Sequence, residues 1–412
     1  MFLLLVLPAS ANAFYEKESE SGDYSIEMLG AVRITGAWFH LPDAPLLYTT
    51  GDDGLAAAVA RLLMSGALGA RVKYEVNIHG ELGRSPGALA GAGSFATAGS
   101  FVTPYRTKYL SWDYWEDGAV AGQLGVDRLL FKLTFGSLEV HLGRMPINYT
   151  ATQVFVPNDF FAPFSATAVN KIYKPGVDAL RLSWAPGTFS SVELVGVLGS
   201  DADGVPAWSR SALLLRASTV LWDTQLALLG GKLAGRWVVG MSMQGEIGLF
   251  GVRAEGHVGF PDSEGDGLDE DRSVKEIHAR VAAGIDRKFV WRNATVGIEA
   301  LYQSDGAAWS GRYPRRLQGL YPDDLPYMGS LYLGLSAGLE LIPILRAGAM
   351  VLVNTQDGSG MAALTLMYNI ADEADFAGGL LLPWGEGPEG LVPQSEYGLY
   401  PVMVFMESRF YF

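Results

Sequence analysis

The sequence has 412 residues, of which 49% are hydrophobic, and a formal net charge of −14. This acidic balance argues against nucleic acid as a partner and against docking on anionic lipid. The absence of cysteine excludes disulfides, thiolate metal sites, covalent haem attachment and a lipoprotein anchor.

Residues 1–13 are typical of a signal peptide. The apolar run 2–7 precedes Ala11-Asn12-Ala13, which has the small-x-small pattern that signal peptidase accepts. We therefore expect cleavage after Ala13 and export of the mature chain, residues 14–412.

No later stretch is long and apolar enough for a transmembrane helix. The two best candidates, residues 212–230 and 331–353, are interrupted by charged residues. Only helices and closed barrels satisfy every backbone polar group in lipid, so an apolar chain without such helices indicates a β-barrel. A soluble β-rich protein is the alternative.

A β-hairpin is predicted over residues 129–142. Apolar and polar residues alternate on both sides of Gly136-Ser137, a dipeptide that suits a two-residue type II′ turn. This turn pairs Phe135 with Leu138 on an apolar face and gathers the polar residues on the other face.

The same alternation recurs in residues 236–244, 252–260 and 402–412, in segments long enough to cross a bilayer as tilted strands. From residue 124 onward the pattern predicts fifteen strands. Short turns alternate with mostly longer links, among which we count 232–235. Short periplasmic turns and longer external loops are typical of bacterial outer-membrane barrels, whereas a β-sandwich has no reason to alternate in this way.

The number of strands must be even if both chain ends lie in the periplasm. Segments 24–38, 70–83 and 104–116 are candidates upstream; all three give eighteen strands, and one alone gives sixteen. We predict an all-β fold, a transmembrane antiparallel up-and-down barrel of 16–18 strands that forms a single domain. Residues 54–65 look helical, and the Gly/Ala-rich run 87–100 looks like a flexible loop.

The chain ends in Arg409-Phe410-Tyr411-Phe412. Aromatic residues at the last and third-last positions, Phe412 and Phe410, resemble the C-terminal signal that the outer-membrane assembly machinery reads in bacterial barrels. The resemblance implies that this machinery is a partner and that the protein lies in the outer membrane.

A second resemblance lies in residues 143–181. Gly143-Arg144 at a strand end, the aromatic and proline-rich loop segment 157–164, and the strand start 176–181 follow one another as in porin-like outer-membrane barrels, a group that includes alginate-export-like barrels. The resemblance implies a channel surrounded by lipid and lipopolysaccharide, with a homotrimer as one assembly to test. It identifies no solute.

Residues 144–176 form a long loop with several phenylalanines, which we expect to fold into the lumen and narrow the pore. Its charged residues would then set a transverse field at a constriction: Arg144, Asp159, Lys171, Lys174, Asp178 and Arg181. The alternative is that the loop packs on the barrel rim and that these charges are ordinary solvated residues.

The strands supply the residues that we expect to line the lumen: Arg128, Lys132, His141, Arg216, Arg236, Arg253, Glu255 and His257. A water-filled barrel needs such residues merely to be wet, but the excess of basic residues among them favours anions slightly. A further set of aromatic residues is predicted to form an interface girdle: Trp112, Tyr114, Trp115, Tyr397 and Tyr400.

The sequence offers little support for metal binding or catalysis. The acidic run 262–271 suits calcium in its oxygen ligands, but it lacks EF-hand spacing and is predicted to be a solvated external loop. The five histidines are scattered, with no hydrolase or phosphate-binding motif. We therefore expect no metal, cofactor or enzymatic activity.

These patterns predict a porin that lets small hydrophilic solutes or ions diffuse passively. Two alternatives stay open. One is a barrel sheath that holds a periplasmic or multihaem electron-transfer partner. The other is an outer-membrane enzyme whose site is assembled from distant strands.

Overall fold

The computed structural model describes residues 14–21, 23–44, 47–48, 50–84, 105–163, 173–201, 204–262, 276–321, 324–325 and 327–412. Their strands are β1 (Tyr15–Glu18), β2 (Tyr24–His40), β3 (Asp52–Leu68), β4 (Val72–Arg84), β5 (Ser111–Asp117), β6 (Val120–Phe135), β7 (Leu138–Met145), β8 (Val177–Gly187), β9 (Ser190–Val197), β10 (Ala212–Leu221), β11 (Thr224–Leu233), β12 (Arg236–Ile247), β13 (Phe250–Pro261), β14 (His278–Lys288), β15 (Thr295–Gln303), β16 (Leu331–Ile342), β17 (Leu345–Asn354), β18 (Gly360–Ala371), β19 (Ala374–Trp384) and β20 (Val402–Tyr411). They also form one short helix, α1 (Tyr313–Gln318), and the 3-10 turns Lys108–Leu110, Trp208–Arg210, Trp291–Asn293, Ser310–Arg312 and Tyr397–Leu399. Among these residues, no helix is long and apolar enough to cross a membrane.

Eighteen of the strands form one closed antiparallel barrel. Each pairs with its neighbours in chain order, and the ring closes where residues 31–40 of β2 pair with residues 402–411 of β20. Two short strands lie outside the ring, because β1 pairs with β2 alone and β5 with β6 alone, while β4 pairs directly with β6. The predicted fold class and the count of eighteen are therefore confirmed.

The three ring strands that precede β6 differ in part from those predicted. Segments 24–38 and 70–83 do lie in β2 and β4, but the third strand is β3, and 104–116 contributes only the short β5. The prediction that 54–65 is helical was wrong. Its alanines favour a helix locally, but this segment is paired along its length with β2 on one side and β4 on the other, and these ladders outweigh local propensity.

The predicted hairpin has the predicted register, with Phe135 opposite Leu138. Gly136 at the turn has a φ of +61°, a backbone conformation that glycine adopts without strain. Most short turns lie at this end of the barrel, which also holds the C-terminus, since the Tyr411 N–H donates to the Glu373 carbonyl in the turn between β18 and β19. One link differs from its predicted length: β11 and β12 are joined by two residues, 234–235.

The apolar face of the strands points outward. In β12, Trp237 and Met241 are 51% and 53% exposed, whereas Arg236, which begins the strand on its inner face, is 1% exposed. β20 repeats the pattern, with Met406 exposed and Glu407 buried. An apolar outer surface around a polar interior is the reverse of the arrangement in a water-soluble protein, and it suits a barrel surrounded by lipid.

Phe412 extends the pairing between β2 and β20, the two strands that close the barrel. The Phe412 N–H donates to the Gly30 carbonyl at 3.0 Å, and the Gly30 N–H donates to the Phe412 carbonyl at 2.5 Å. The Phe412 ring lies so close to Gly30 that an added Cβ there would be 2.1 Å from the ring. Phe410 and Phe412 are both exposed on the outer surface. Their role in assembly stays a prediction, and the predicted signal peptide lies outside the described residues.

Candidate constriction site

Residues 146–163, here called the inward loop, lie inside the barrel. Phe160 and Phe161 are buried in one interior cluster that includes Val195 and Leu214 of the wall. Phe155 is buried in a second cluster, where its ring centroid lies 5.8 Å from that of Tyr327 and 6.1 Å from that of Tyr332. The phenylalanines of the loop are thus sheltered in the lumen, where burial of such side chains contributes roughly 1.5–3 kcal/mol each.

Two buried glutamates of the wall hold the inward loop. Glu255 of β13 accepts hydrogen bonds from the backbone N–H groups of Ala151, Thr152 (3.1 Å) and Asn158 (3.0 Å). Glu299 of β15 accepts them from Gln153 (2.7 Å), Val154 (2.7 Å) and Phe155 (3.1 Å). Both carboxylates are at most 5% exposed. Because irregular backbone away from water must find partners, these six bonds allow the loop to cross the lumen.

Side chains extend this attachment. Asn158 donates from Nδ2 to the Met241 carbonyl at 3.1 Å, and its Oδ1 lies 3.1 Å from Nδ1 of His257. Gly334 of β16 makes room for the loop, since an added Cβ would lie 3.0 Å from Val154. Glu255 and His257, both predicted to line the lumen, therefore lie beneath the inward loop and hold it.

A buried ion pair closes the two ends of the longer loop 144–176. Arg144 donates from Nε and one terminal nitrogen to the two carboxylate oxygens of Asp178, at 2.7 and 2.8 Å. The remaining guanidinium donors reach the carbonyls of Val126 (2.9 Å) and Thr107 (3.0 Å). The Arg144 side chain is fully buried. This pair therefore positions the loop, and Arg144 presents no charge to open water.

A second ion pair joins the descending and returning arms of the loop, between Asp159 and Lys174. Burial raises the pKa of the Asp159 carboxyl and lowers the pKa of the Lys174 ammonium, while the attraction between the two groups opposes both shifts. Lys171, the remaining loop residue of the predicted constriction, lies outside the described residues.

A cavity of about 230 Å³ lies between the stem of the inward loop and the wall. Arg181 and Arg216 line it with Glu193, which accepts a hydrogen bond from Arg181 at 2.5 Å. The Arg216 guanidinium lies 5.4 Å from the centre of the Tyr149 ring in the loop. Nε of both arginines and the Tyr149 hydroxyl are buried and have no hydrogen-bond partner among the described residues. Such atoms are rare inside proteins, so the cavity suits a polar guest or water.

The other predicted lumen residues also lie on inner strand positions, mostly beside carboxylates. Ion pairs join Arg128 to Glu75, Lys132 to Glu139, Arg236 to Asp324, and Arg253 to Asp286, and Nε2 of His141 lies 3.3 Å from a carboxylate oxygen of Glu139. Most of the basic excess noted in the sequence is therefore locally compensated. Arg181 and Arg216 line a cavity whose described lining has one carboxylate, that of Glu193, which pairs with Arg181, so positive charge is concentrated there.

Two other features differ from the sequence predictions or were not anticipated. Tyr397, assigned to the interface girdle, is 1% exposed in an interior cluster, whereas Trp112, Tyr114 and Trp115 are exposed as expected. Glu299 was not singled out, although its inward position in the alternating strand β15 was a signal.

The run 263–275 lies outside the described residues, and those that are described contain no group of metal ligands.

No protein-family model matches the sequence, and no curated protein matches it significantly. Solved structures do share the fold. Pseudomonas aeruginosa OccK2 (OpdF) in complex with glucuronate is similar with a TM-score of 0.57 and 11% identity, over 94% of this chain and 96% of that chain. A BenF-like porin from Pseudomonas fluorescens Pf-5 gives 0.58 and 10%, over 93% and 98% of the two chains. Pseudomonas aeruginosa OpdK with vanillate gives 0.53 and 11%, over 93% and 98%. The likeness concerns the fold, an eighteen-stranded porin barrel.

Proposed function

We propose that this chain is a bacterial outer-membrane channel through which small hydrophilic solutes diffuse passively, and that small organic anions pass most readily. The observation that carries the proposal is the cavity beside the inward loop. In the part of the chain that the structure describes, Arg181 and Arg216 outnumber Glu193 there, and three buried polar atoms have no hydrogen-bond partner. A carboxylate accepts two parallel hydrogen bonds from a guanidinium, which makes it the guest that this wall suits best.

The similar solved structures support the same solute class. OccK2 is described in complex with glucuronate and OpdK with vanillate, and both molecules carry a carboxylate. Because the sequence identities are low, no residue role is carried over from these proteins. Their support is limited to the observation that barrels of this type accommodate small molecules with a carboxylate.

Placement in the outer membrane follows from the barrel surface. The outward apolar face needs lipid, and lipopolysaccharide would meet the end that carries the longer links. The exposed Phe410 and Phe412 are available to the assembly machinery on the seam strand. No contact in a single chain bears on a homotrimer, which stays a prediction.

The inward loop favours a channel over a sheath. A sheath needs a lumen that a partner can fill, whereas here Phe155, Phe160 and Phe161 already occupy the interior. An enzyme would need a nucleophile or paired acid and base in reach of substrate. The polar residues that line the loop cavity contain no histidine, and the carboxylate of Glu193 is engaged by Arg181.

Liposome swelling tests the proposal. The purified protein, reconstituted in vesicles, should admit glucuronate faster than glucose, because the two sugars have similar size and differ in charge. The double variant Arg181→Gln and Arg216→Gln should remove this preference, while Lys288→Gln, at an exposed end of β14, should leave it unchanged. Equal rates for both sugars in the unaltered protein would overturn the anion preference, and no swelling at all would overturn the channel.

A further inference from the structure

A buried carboxyl group ties together the outer ends of four elements. Glu396, in the link between β19 and β20, is 2% exposed. It accepts hydrogen bonds from the Tyr332 hydroxyl of β16 and from Nδ2 of Asn354 of β17, the second at 2.7 Å. Asn354 Nδ2 also donates to the Tyr313 hydroxyl of α1 at 3.1 Å.

A second carboxylate completes the cluster. Asp357, in the link between β17 and β18, accepts the Tyr313 hydroxyl at 2.5 Å and the Glu396 backbone N–H at 2.8 Å. We call these five residues the outer latch: Tyr313, Tyr332, Asn354, Asp357 and Glu396. The link between β15 and β16, which contains α1, and the links that follow β17 and β19 are thereby joined to one another and to the wall.

The titratable groups around Glu396 are one carboxyl group and several tyrosine hydroxyls. Asp357 stands beside it, and the titratable side chains around the latch are tyrosines: Tyr48, Tyr313, Tyr327, Tyr332, Tyr397 and Tyr400. Among the described residues, no lysine, arginine or histidine forms an ion pair with Glu396 or Asp357. A carboxylate here would therefore be charged, buried and next to another acid, which is costly.

The outer latch also contacts the inward loop. Tyr332 donates to Glu396, and its ring centroid lies 6.1 Å from that of Phe155 and 5.1 Å from that of Tyr327. Tyr332 further accepts the Gly329 N–H at 2.5 Å. Movement of the latch would therefore change the packing of Phe155, one of the residues that fill the lumen.

We propose that Glu396 is a proton-controlled switch, so that the outer latch is closed when this carboxyl is protonated and opens when it is ionised. Opening frees α1 and the links after β17 and β19 at the outer mouth and loosens the packing on Phe155. The mouth of the barrel would then respond to external pH between acid and neutral conditions.

The direction of the pH dependence follows from the linkage between protonation of Glu396 and closure of the outer latch. Burial raises the pKa of Glu396 from 4.5 to about 7, the neighbouring Asp357 adds to this rise, and the hydrogen bonds from Tyr332 and Asn354 oppose it. The protonated form is therefore favoured by the closed latch. The stability that protonation of Glu396 adds to the closed latch is fully present below pH 4.5. It falls as the pH rises to about 7 and changes no further above that. Over this window the closed-to-open ratio falls by up to about 300-fold, because each pKa unit is a factor of ten.

Hydrogen–deuterium exchange on the full barrel in detergent tests the switch without relying on the proposed channel function. In the unaltered protein, protection of peptides covering 385–401 should fall between pH 4.5 and 7, after correction for intrinsic exchange. Glu396→Gln, which keeps the size and remains neutral, should keep this protection high throughout. The matched control Glu389→Gln, an exposed acid in the same link, should behave as the unaltered protein.

Two outcomes would overturn the switch: protection that does not vary with pH in the unaltered protein, or the same pH dependence after Glu396→Gln. Single-channel recordings over the same window form a second readout, in which the unaltered protein should gate more at neutral pH, where the links are freed, than at acid pH. If the exchange results hold while no current is seen, the channel function fails and the switch stands.

Discussion

Replacing both glutamates that hold the inward loop should release the loop from the barrel wall. Glu255→Gln and Glu299→Gln keep the size of each side chain and remove one of two acceptor oxygens. Glu299 receives Gln153 on one oxygen and both Val154 and Phe155 on the other. A glutamine can satisfy at most one of these sides, because its amide nitrogen cannot accept a hydrogen bond.

The size of the effect follows from the bonds lost. A hydrogen bond to a charged group contributes about 1.5–3 kcal/mol, and an N–H left facing an amide nitrogen also loses its partner. We expect each substitution to weaken loop docking by about 2 kcal/mol and the pair by about 4 kcal/mol. This corresponds to on the order of a 1,000-fold increase in the undocked fraction, since about 1.4 kcal/mol is a factor of ten.

Single-channel recording in a planar bilayer measures this release. The double variant should show noisier open-channel current and a changed mean conductance, because the chain that fills part of the lumen moves. Glu246→Gln, an exposed acid on β12 outside the loop contacts, is the matched control. Heat-dependent electrophoretic mobility verifies that each barrel is folded. A folded double variant whose conductance and noise equal those of the unaltered protein would refute the role of both glutamates.

Three further predictions follow from the same geometry. Arg144→Met leaves the half-buried carboxylate of Asp178 without its guanidinium partner, so it should cost about 3 kcal/mol and lower the temperature at which the barrel unfolds in electrophoretic assays; an unchanged temperature would contradict the role of this pair. Arg181→Glu together with Arg216→Glu should shift the reversal potential toward cations in a salt gradient, and an unmoved potential would place the narrowest point elsewhere. Gly334→Val should displace the inward loop and alter conductance, because its Cβ alone would meet Val154 at 3.0 Å; normal conductance would show that the loop accommodates it.

The barrel could be predicted from the sequence because its wall imposes a period of two on every strand. In β12 and β20 the outer position meets an apolar surrounding and the inner one a polar interior, so the alternation is visible residue by residue. β3 escaped this reading because Ala56, Ala58 and Ala60 on its outer face are small, and alanine-rich segments favour helices locally. Its strand character depends on pairing with β2 and β4, which is not local.

The site could be predicted only in part. The charges at the ends of the long loop were recognised, but the sequence does not reveal that Arg144 pairs with Asp178 rather than facing solute. Glu299 is one inward polar residue among many, and its importance comes from a loop almost 150 positions away. The face of Tyr397 was misjudged because this residue lies in the long link between β19 and β20, where the period of two that marks strands gives no guidance.

The reversal potential of the purified protein in a KCl gradient tests the central claim most directly. A channel whose loop cavity is rich in arginine should give long-lived conducting steps. Its reversal potential should have the sign that shows chloride passing more readily than potassium, and this potential should move when Arg181 and Arg216 are replaced. A folded barrel that inserts but carries no current would contradict the channel, and a reversal potential on the cation side would contradict the assignment of its selectivity to these arginines.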